Sequence, residues 1–202
     1  SDTPDHFFCS RFISEAKTGE ATTQSALFPL YLYPKADLLN KGNGSRTPNL
    51  SPGFLTALAD QLGYTPSPED CLHYAYAVFH SPTYRSRYTD FLKIDFPRLP
   101  LTSDAKLFRS LCALGQQLVG LHLMETAAPA ICRYPVAGDN RVETVRYADG
   151  RVYINAEQYF EGVPDAVWGF HVGGYQVAHK WLKDRKGRQL SYDDLTHYQQ
   201  VM

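Results

Sequence analysis

The segment RVETVRYADGRVYI, Arg141–Ile154, carries the clearest strand signal in the chain. Apolar and polar residues alternate on both sides of Asp149-Gly150, a dipeptide that tolerates two successive positive φ angles. The pattern predicts an antiparallel hairpin with arms Val142–Tyr147 and Arg151–Ile154. To either side of it, Ile131–Val136 has the composition of a further β segment and Val167–Val172 of another. Gly173-Gly174 breaks the latter. A short helix is predicted over Tyr175–Arg185 with Gly187 as its cap, and Ser191 to Asp194 opens a final helix.

Upstream of the hairpin the apolar period is helical. Leu27–Tyr33 reads as a strand that Pro29 restricts to an edge and Pro34 ends, and the polar run Lys35–Asn49 reads as a mobile loop. Ser51-Pro52 then starts a helix bearing Phe54, Leu55, Leu58 and Leu62 and stopped by Gly63. Ser67-Pro68-Glu69-Asp70 starts a second, with Cys71, Leu72, Ala75, Val78 and Phe79 as its apolar stripe, and Pro82 restarts the helix toward Leu92. Ile94–Pro100 is extended because prolines follow Phe96 and Leu99. A long helix is predicted from Ser103 to Met124 with Leu107, Leu111, Leu114, Leu118 and Leu121 facing inward. The fold class expected is α+β: a helical layer in the first half, then a hairpin-rich mixed β region with short C-terminal helices. The expected organisation is a flexible N-terminal segment over 1–26, a strand and helical layer over 27–130, and a β-hairpin and basic-helix recognition region over 131–202, the last two being either separate or one continuous domain.

With 202 residues, 44% of them hydrophobic and 13% aromatic, the chain has material for a sizeable core. A net charge of -1 neither favours nor excludes a polyanionic partner, since local clustering matters more than the sum. Cys9, Cys71, Cys112 and Cys132 are widely spaced, as in a reduced cytoplasmic protein, and nothing resembles a signal peptide or a membrane span. A chain opening on Ser-Asp-Thr-Pro reads as a fragment of something longer. Walker A, dinucleotide-binding, zinc-protease and serine-hydrolase motifs are absent, so no catalytic activity is expected. The histidines do not cluster for a metal: His73 and His80 share a helical face, and His171 and His179 flank the Gly-Gly turn, without carboxylates at ligand spacing. Asp5, Glu15 and Lys17 form the one nuclease-like set, in which carboxylates would hold Mg²⁺.

The marked electrostatic feature is Lys180, Lys183, Arg185, Lys186 and Arg188, offset only by Asp184. Such a run can track phosphates, and it can equally complement the negative end of a helix. Tyr175, Gln176, Trp181 and Gln189 nearby could stack on or read bases, while Tyr175 and Trp181 also suit core anchors. Arg85, Arg87 and Arg98, interleaved with Tyr84 and Tyr88, form a second basic set that could instead pair internally with Asp90 and Asp95. The hairpin region supplies a third in Asn140, Arg141, Arg146 and Arg151, residues that reach groove edges when a loop projects.

Two long strings carry more than their physics: DCLHYAYAVFHSPTYRSRYTDFLKIDFPRLPL (Asp70–Leu101) and VWGFHVGGYQVAHKWLKDRKGRQLSYDDLTHYQ (Val167–Gln199), with LFPLYLYP (Leu27–Pro34) upstream. Together they resemble the C-terminal specificity region of Type ISP restriction-modification enzymes, single polypeptides joining a nuclease, a translocating ATPase, an adenine methyltransferase and a target recognition domain. The resemblance implies duplex DNA as partner, a neighbouring methyltransferase domain, and S-adenosylmethionine, ATP and Mg²⁺ as cofactors of the parent enzyme but none held in this region. An adenine methyltransferase needs an Asn/Asp-Pro-Pro-aromatic motif for the flipped base, which this chain lacks. No catalytic residue of the parent is therefore carried over. The rival expectations are a protein-interaction module linking domains of such an enzyme and a weak Mg²⁺-dependent nuclease fragment.

Overall fold

The computed structural model describes residues 7–14, 26–33, 46–126, 130–172 and 174–202. They belong to two compact units, one holding residues 7–14 and 26–126 and the other residues 130–202. The class is α+β, with helices in the first unit and small antiparallel sheets with short helices in the second.

The first unit begins with Phe7 packed on Phe79, ring centroids 4.8 Å apart, and Arg11 paired to both carboxylate oxygens of Glu125 at 2.7 and 2.9 Å. Strands β1 (Tyr31–Leu32) and β2 (Thr47–Pro48) pair antiparallel, and the Asn49 N–H donates to the Leu30 carbonyl. The strand expected over Leu27–Tyr33 thus shrinks to β1, and Thr47–Asn49 serves as its partner rather than as mobile loop. Residues 35–45 of that loop lie outside the described residues.

Helices α1 (Pro52–Leu62), α2 (Pro68–His80) and α3 (Pro82–Arg87) all start on a Ser-Pro pair. The hydroxyls of Ser51, Ser67 and Ser81 accept from the N–H groups of Phe54, Asp70 and Tyr84, and proline fills the first helical position, where no N–H is needed. Gly63 ends α1 at φ 74. After α4 (Thr89–Leu92) comes the long α5 (Ala105–His122), whose packing against α2 forms the heart of this unit. Tyr74 stacks on Phe108 at 4.7 Å, and Leu58, Val78 and Cys112 are among the residues buried around them.

The face of α5 that meets α2 is the expected one only in part: Leu111 packs half-buried against the core, but the stripe is turned from the other leucines. Phe108, Cys112, Gly115 and Val119 are buried, whereas Leu107, Leu114 and Leu121 stand 47, 58 and 40% exposed. Gly115 supplies the reason: a Cβ there would overlap the His73 carbonyl oxygen, so the two backbones approach closely only along the glycine-bearing stripe. Leucine size misdirected the sequence reading, because the apolar stripe one residue over is bulkier and has no such gap.

In the second unit β3 (Arg146–Ala148), β4 (Arg151–Tyr153) and β5 (Tyr159–Glu161) form an antiparallel sheet in that order. Asp149 at φ 51 and Gly150 at φ 73 make the tight turn between β3 and β4, as their sequence predicts. The expected arms were longer: pairing starts at Arg146 rather than Val142 and ends at Tyr153. Ile131–Val136 is not a strand but contributes a single bridge, Arg133 to Glu161. Val167–Val172 is corrected to α6 (Asp165–Trp168), entered from extended Pro164, followed by β6 (His171–Val172), which pairs with β7 (Tyr175–Gln176). The helix expected over Tyr175–Arg185 is α7 (Val177–Lys183), and α8 (Tyr192–Val201) opens on a capping box of Ser191 and Asp194.

The core of this unit is Val142, Val152, Ile154, Phe160, Leu182 and Tyr198, each fully buried. Tyr198 packs on Phe160 and Trp181, at 4.6 and 5.0 Å, and donates its hydroxyl to the Ala178 carbonyl. Burial pushes the Cys132 thiol up to about 12, so it stays protonated as a small apolar side chain. No helix among the described residues is long and apolar enough to cross a membrane.

Candidate nucleic-acid interface

The cationic segment splits into two groups once folded. Lys180 pairs with Asp184 at 2.7 Å and lies over the Tyr175 ring, and the guanidinium of Arg185 stacks 3.5 Å over Trp181. Arg185 also donates through Nη1 to the Trp181 carbonyl, and its Nε sits 3.6 Å from Asp194 Oδ1. Asp194 is held below the ordinary carboxylate range, first by the Ser191 backbone N–H and then by its hydroxyl, with Arg185 adding its charge. These cations are engaged in structure. Lys183, Lys186 and Arg188 are instead exposed and form no salt bridge with a described residue. Because α7 ends at Lys183, Lys186 and Arg188 project from the turn that Gly187 makes at φ 83, and not from one helical face as the spacing suggests.

That turn is fastened to a second candidate set. The Gly187 N–H donates to the Val142 carbonyl at 2.7 Å, the Val142 N–H to the Arg188 carbonyl at 2.9 Å, and the Leu190 N–H to the Asn140 carbonyl at 2.9 Å, with Arg141 opposite Gln189. Buried Val142 and Leu190 anchor the ladder inward, leaving Arg141, Arg188 and Gln189 exposed. Residues nearly fifty positions apart in sequence thus form one polar edge. Asn140 does not project with them. It sits at φ 57, and its side-chain oxygen accepts from Gln158 Nε2 at 2.8 Å and from the Tyr134 hydroxyl at 3.2 Å.

Arg151 belongs to the outward face of the three-stranded sheet. There its guanidinium lies 4.7 Å from the Tyr159 ring centre, and Arg146 lies 4.0 Å from that of Tyr153. Arg133, Arg151, Gly150 and Glu161 line a shallow groove of about 430 Å³ on the same sheet. Flat arginine and tyrosine surfaces of this kind stack on planar groups. Sequence reasoning missed Arg133, Tyr153 and Tyr159, although the period-two alternation already places Arg151 and Tyr153 on one side of β4.

The remaining pair lies in the first unit. Arg85 donates through Nε to the Phe79 carbonyl at 2.7 Å and its Nη2 is 3.0 Å from His80 Nδ1, so it braces the end of α2, while Arg87 is exposed. His80 reaches the Phe7 carbonyl and lies beside His122, whose Nδ1 is 2.5 Å from the Tyr76 hydroxyl. Among the described residues no three His, Cys, Asp or Glu side chains converge on one point. Asp5, Glu15 and Lys17 lie outside the described residues.

Comparison with known proteins gives a consistent picture. The family described as the Type ISP C-terminal specificity domain matches residues 1–202. No curated protein matches. Among solved structures, the chain is similar to the DrdV–DNA complex, at 23% identity and a TM-score of 0.64 over 86% of this chain and 19% of that one. It is also similar to the ATP-dependent Type ISP restriction-modification enzyme LlaBIII bound to DNA, at 20% identity and 0.60 over 86% of this chain and 12% of that one. A nuclease-deletion mutant of the Type ISP enzyme LlaGI in complex with a DNA substrate mimic gives 20% and 0.52 over 86% and 15%. At these identities the likeness shows the fold, and the chain spans less than one fifth of the length of each of those proteins.

Proposed function

The chain belongs to the Type ISP C-terminal specificity domain family, and we propose that it recognises a target sequence in duplex DNA on behalf of a larger restriction-modification enzyme. The observation that carries this reading is the ladder between residues 140–142 and 187–190, which sets exposed Arg141 beside Gln189 and Arg188, next to exposed Lys183 and Lys186. Lysines contribute charge to the phosphates, whereas Arg and Gln can read base edges bidentately. Arg146 and Arg151 on the sheet face supply further phosphate or stacking contacts. Lys180, Arg185, Arg85 and Asn140 act within the protein, where Asp184, the Trp181 and Phe79 carbonyls and Gln158 engage them.

Charge reversal of Lys183, Lys186 and Arg188 tests this. Affinity for a fluorescent duplex should fall across all sequences, and the slope of log K against log salt should flatten by about 1 for each phosphate no longer neutralised. Unchanged affinity and slope would remove the cationic turn from the interface.

The helical unit supports a second role, attachment to the methyltransferase domain of the parent polypeptide. Exposed Leu107, Leu114 and Leu121 along α5 favour it, because an apolar stripe of this length on a folded domain suits a protein neighbour. S-adenosylmethionine, ATP and Mg²⁺ would be held by other parts of that polypeptide.

A further inference from the structure

Gln158 is 2% exposed and is the one buried polar or charged residue among those described. A buried amide is tolerated when its hydrogen-bonding capacity is used, and in Gln158 all of it is. Gln158 Nε2 donates to the Val136 carbonyl at 3.1 Å and to Asn140 Oδ1 at 2.8 Å, while Oε1 accepts from the Asn140 backbone N–H and from Asn155 Nδ2, both at 2.9 Å. Asn155 in turn donates to the Arg141 carbonyl at 3.2 Å, and its Oδ1 accepts from the Gln158 backbone N–H at 2.7 Å. The loop leading from Val136 into the 140–142 ladder is therefore hung on one side chain of the segment between β4 and β5. Gly138 marks how tightly: a Cβ there would lie 2.6 Å from the Gln158 amide carbon, which cannot retreat without releasing those bonds.

Gln158 is shut away from any bound duplex, yet its bonds fix where Arg141 stands relative to Arg188 and Gln189. We infer that Gln158 is a specificity-positioning residue, holding the Arg141 edge in the register at which base pairs are discriminated. The inference rests on the DNA-target reading above. Phosphate contacts through Lys183 and Lys186 tolerate small displacements, because Coulomb attraction varies slowly with distance. Bidentate contacts to base edges do not. Loosening Gln158 should thus erode discrimination before it erodes general affinity.

The test uses the 202-residue chain. Wild-type protein first enriches duplexes from a randomised library; affinity for the enriched duplex is then compared with affinity for the unselected pool. Gln158→Glu removes both donors and sets a carboxylate against two acceptors, and Gly138→Ala presses on the same amide from the loop side. Val78→Ala, in the helical unit, controls for general loss of stability. The expected result is that both Gln158→Glu and Gly138→Ala lower the ratio of the two affinities by about tenfold or more, the scale of one mismatched base pair, while pool binding stays within about twofold and Val78→Ala leaves the ratio unchanged. Amide exchange over residues 136–141 should speed up in both. Should Gln158→Glu fail to fold, Gly138→Ala alone decides. A wild-type ratio in Gly138→Ala, or equal losses on both duplexes, overturns the positioning role. Enrichment of no sequence by the wild type overturns the DNA-target reading itself and the role with it, an outcome separable from the others because it appears before any variant is made.

Discussion

At the α2–α5 crossing two backbones meet through the space Gly115 leaves open, whereas the β-rich unit closes over interlocked rings, with Phe160 between Tyr134 and Tyr198 at 4.7 and 4.6 Å. The first packing joins an absent side chain to the Tyr74–Phe108 stack, and the second rests on large rings throughout. A reader of sequence ranks positions by apolar size, and that ranking serves the second unit but turns α5 by about one residue, roughly 100°.

Phe160 is where this contrast should tell most. Phe160→Ala should cost about 3–5 kcal/mol by deleting a fully buried ring, read as loss of the unfolding transition in tryptophan emission, since Trp168 and Trp181 both lie in the β-rich unit. Gly115→Ala should cost about 3 kcal/mol, because a methyl cannot coexist with the His73 carbonyl; far-ultraviolet dichroism, dominated by the helical unit, reports it in urea titrations. A tolerated alanine there would mean the two helices do not touch along this stripe.

Acid should separate the units further. Burial holds the imidazoles of His73 and His122 below the ordinary histidine value, so the folded helical unit binds fewer protons than the unfolded chain. Its stability is therefore full above pH of about 6.5 and declines as pH falls through that value, levelling off below the lowered one. Asp194, held low in the β-rich unit, contributes stability that survives to lower pH and is lost only as pH falls through its depressed value. Dichroism should respond to mild acid before tryptophan emission does; coincident transitions would defeat this assignment. The smallest effect expected is at Leu114, where substitution by serine should change stability by no more than about 0.5 kcal/mol despite its core-like look in sequence. A large loss would restore the leucine stripe to the interior.

What could be read from sequence was local. Asp149-Gly150 specifies its turn through two positive φ angles, and the Ser-Pro pairs and Ser191 specify helix starts through hydrogen bonds within a few residues. The cationic segment was visible as composition, but which cations remain free was not, because Asp184 and Trp181 engage Lys180 and Arg185 only in the folded geometry. The junction of Arg141 with Gln189 depends on backbone pairing between distant segments, for which no residue type is diagnostic. Gln158 was overlooked since a lone glutamine in a polar stretch carries no periodic signal.

Tyr198 also bears on how the molecule is made. Its ring and hydroxyl, carried on α8, seal Phe160, Trp181 and Ala178. During synthesis, then, the helical unit can mature as soon as it leaves the ribosome, while the sheet that carries Phe160 stays open until Tyr198 has emerged as well. Arrested nascent chains stopped before Tyr198 should resist protease in the early segment alone. The β-rich unit is thereby the later of the two to close.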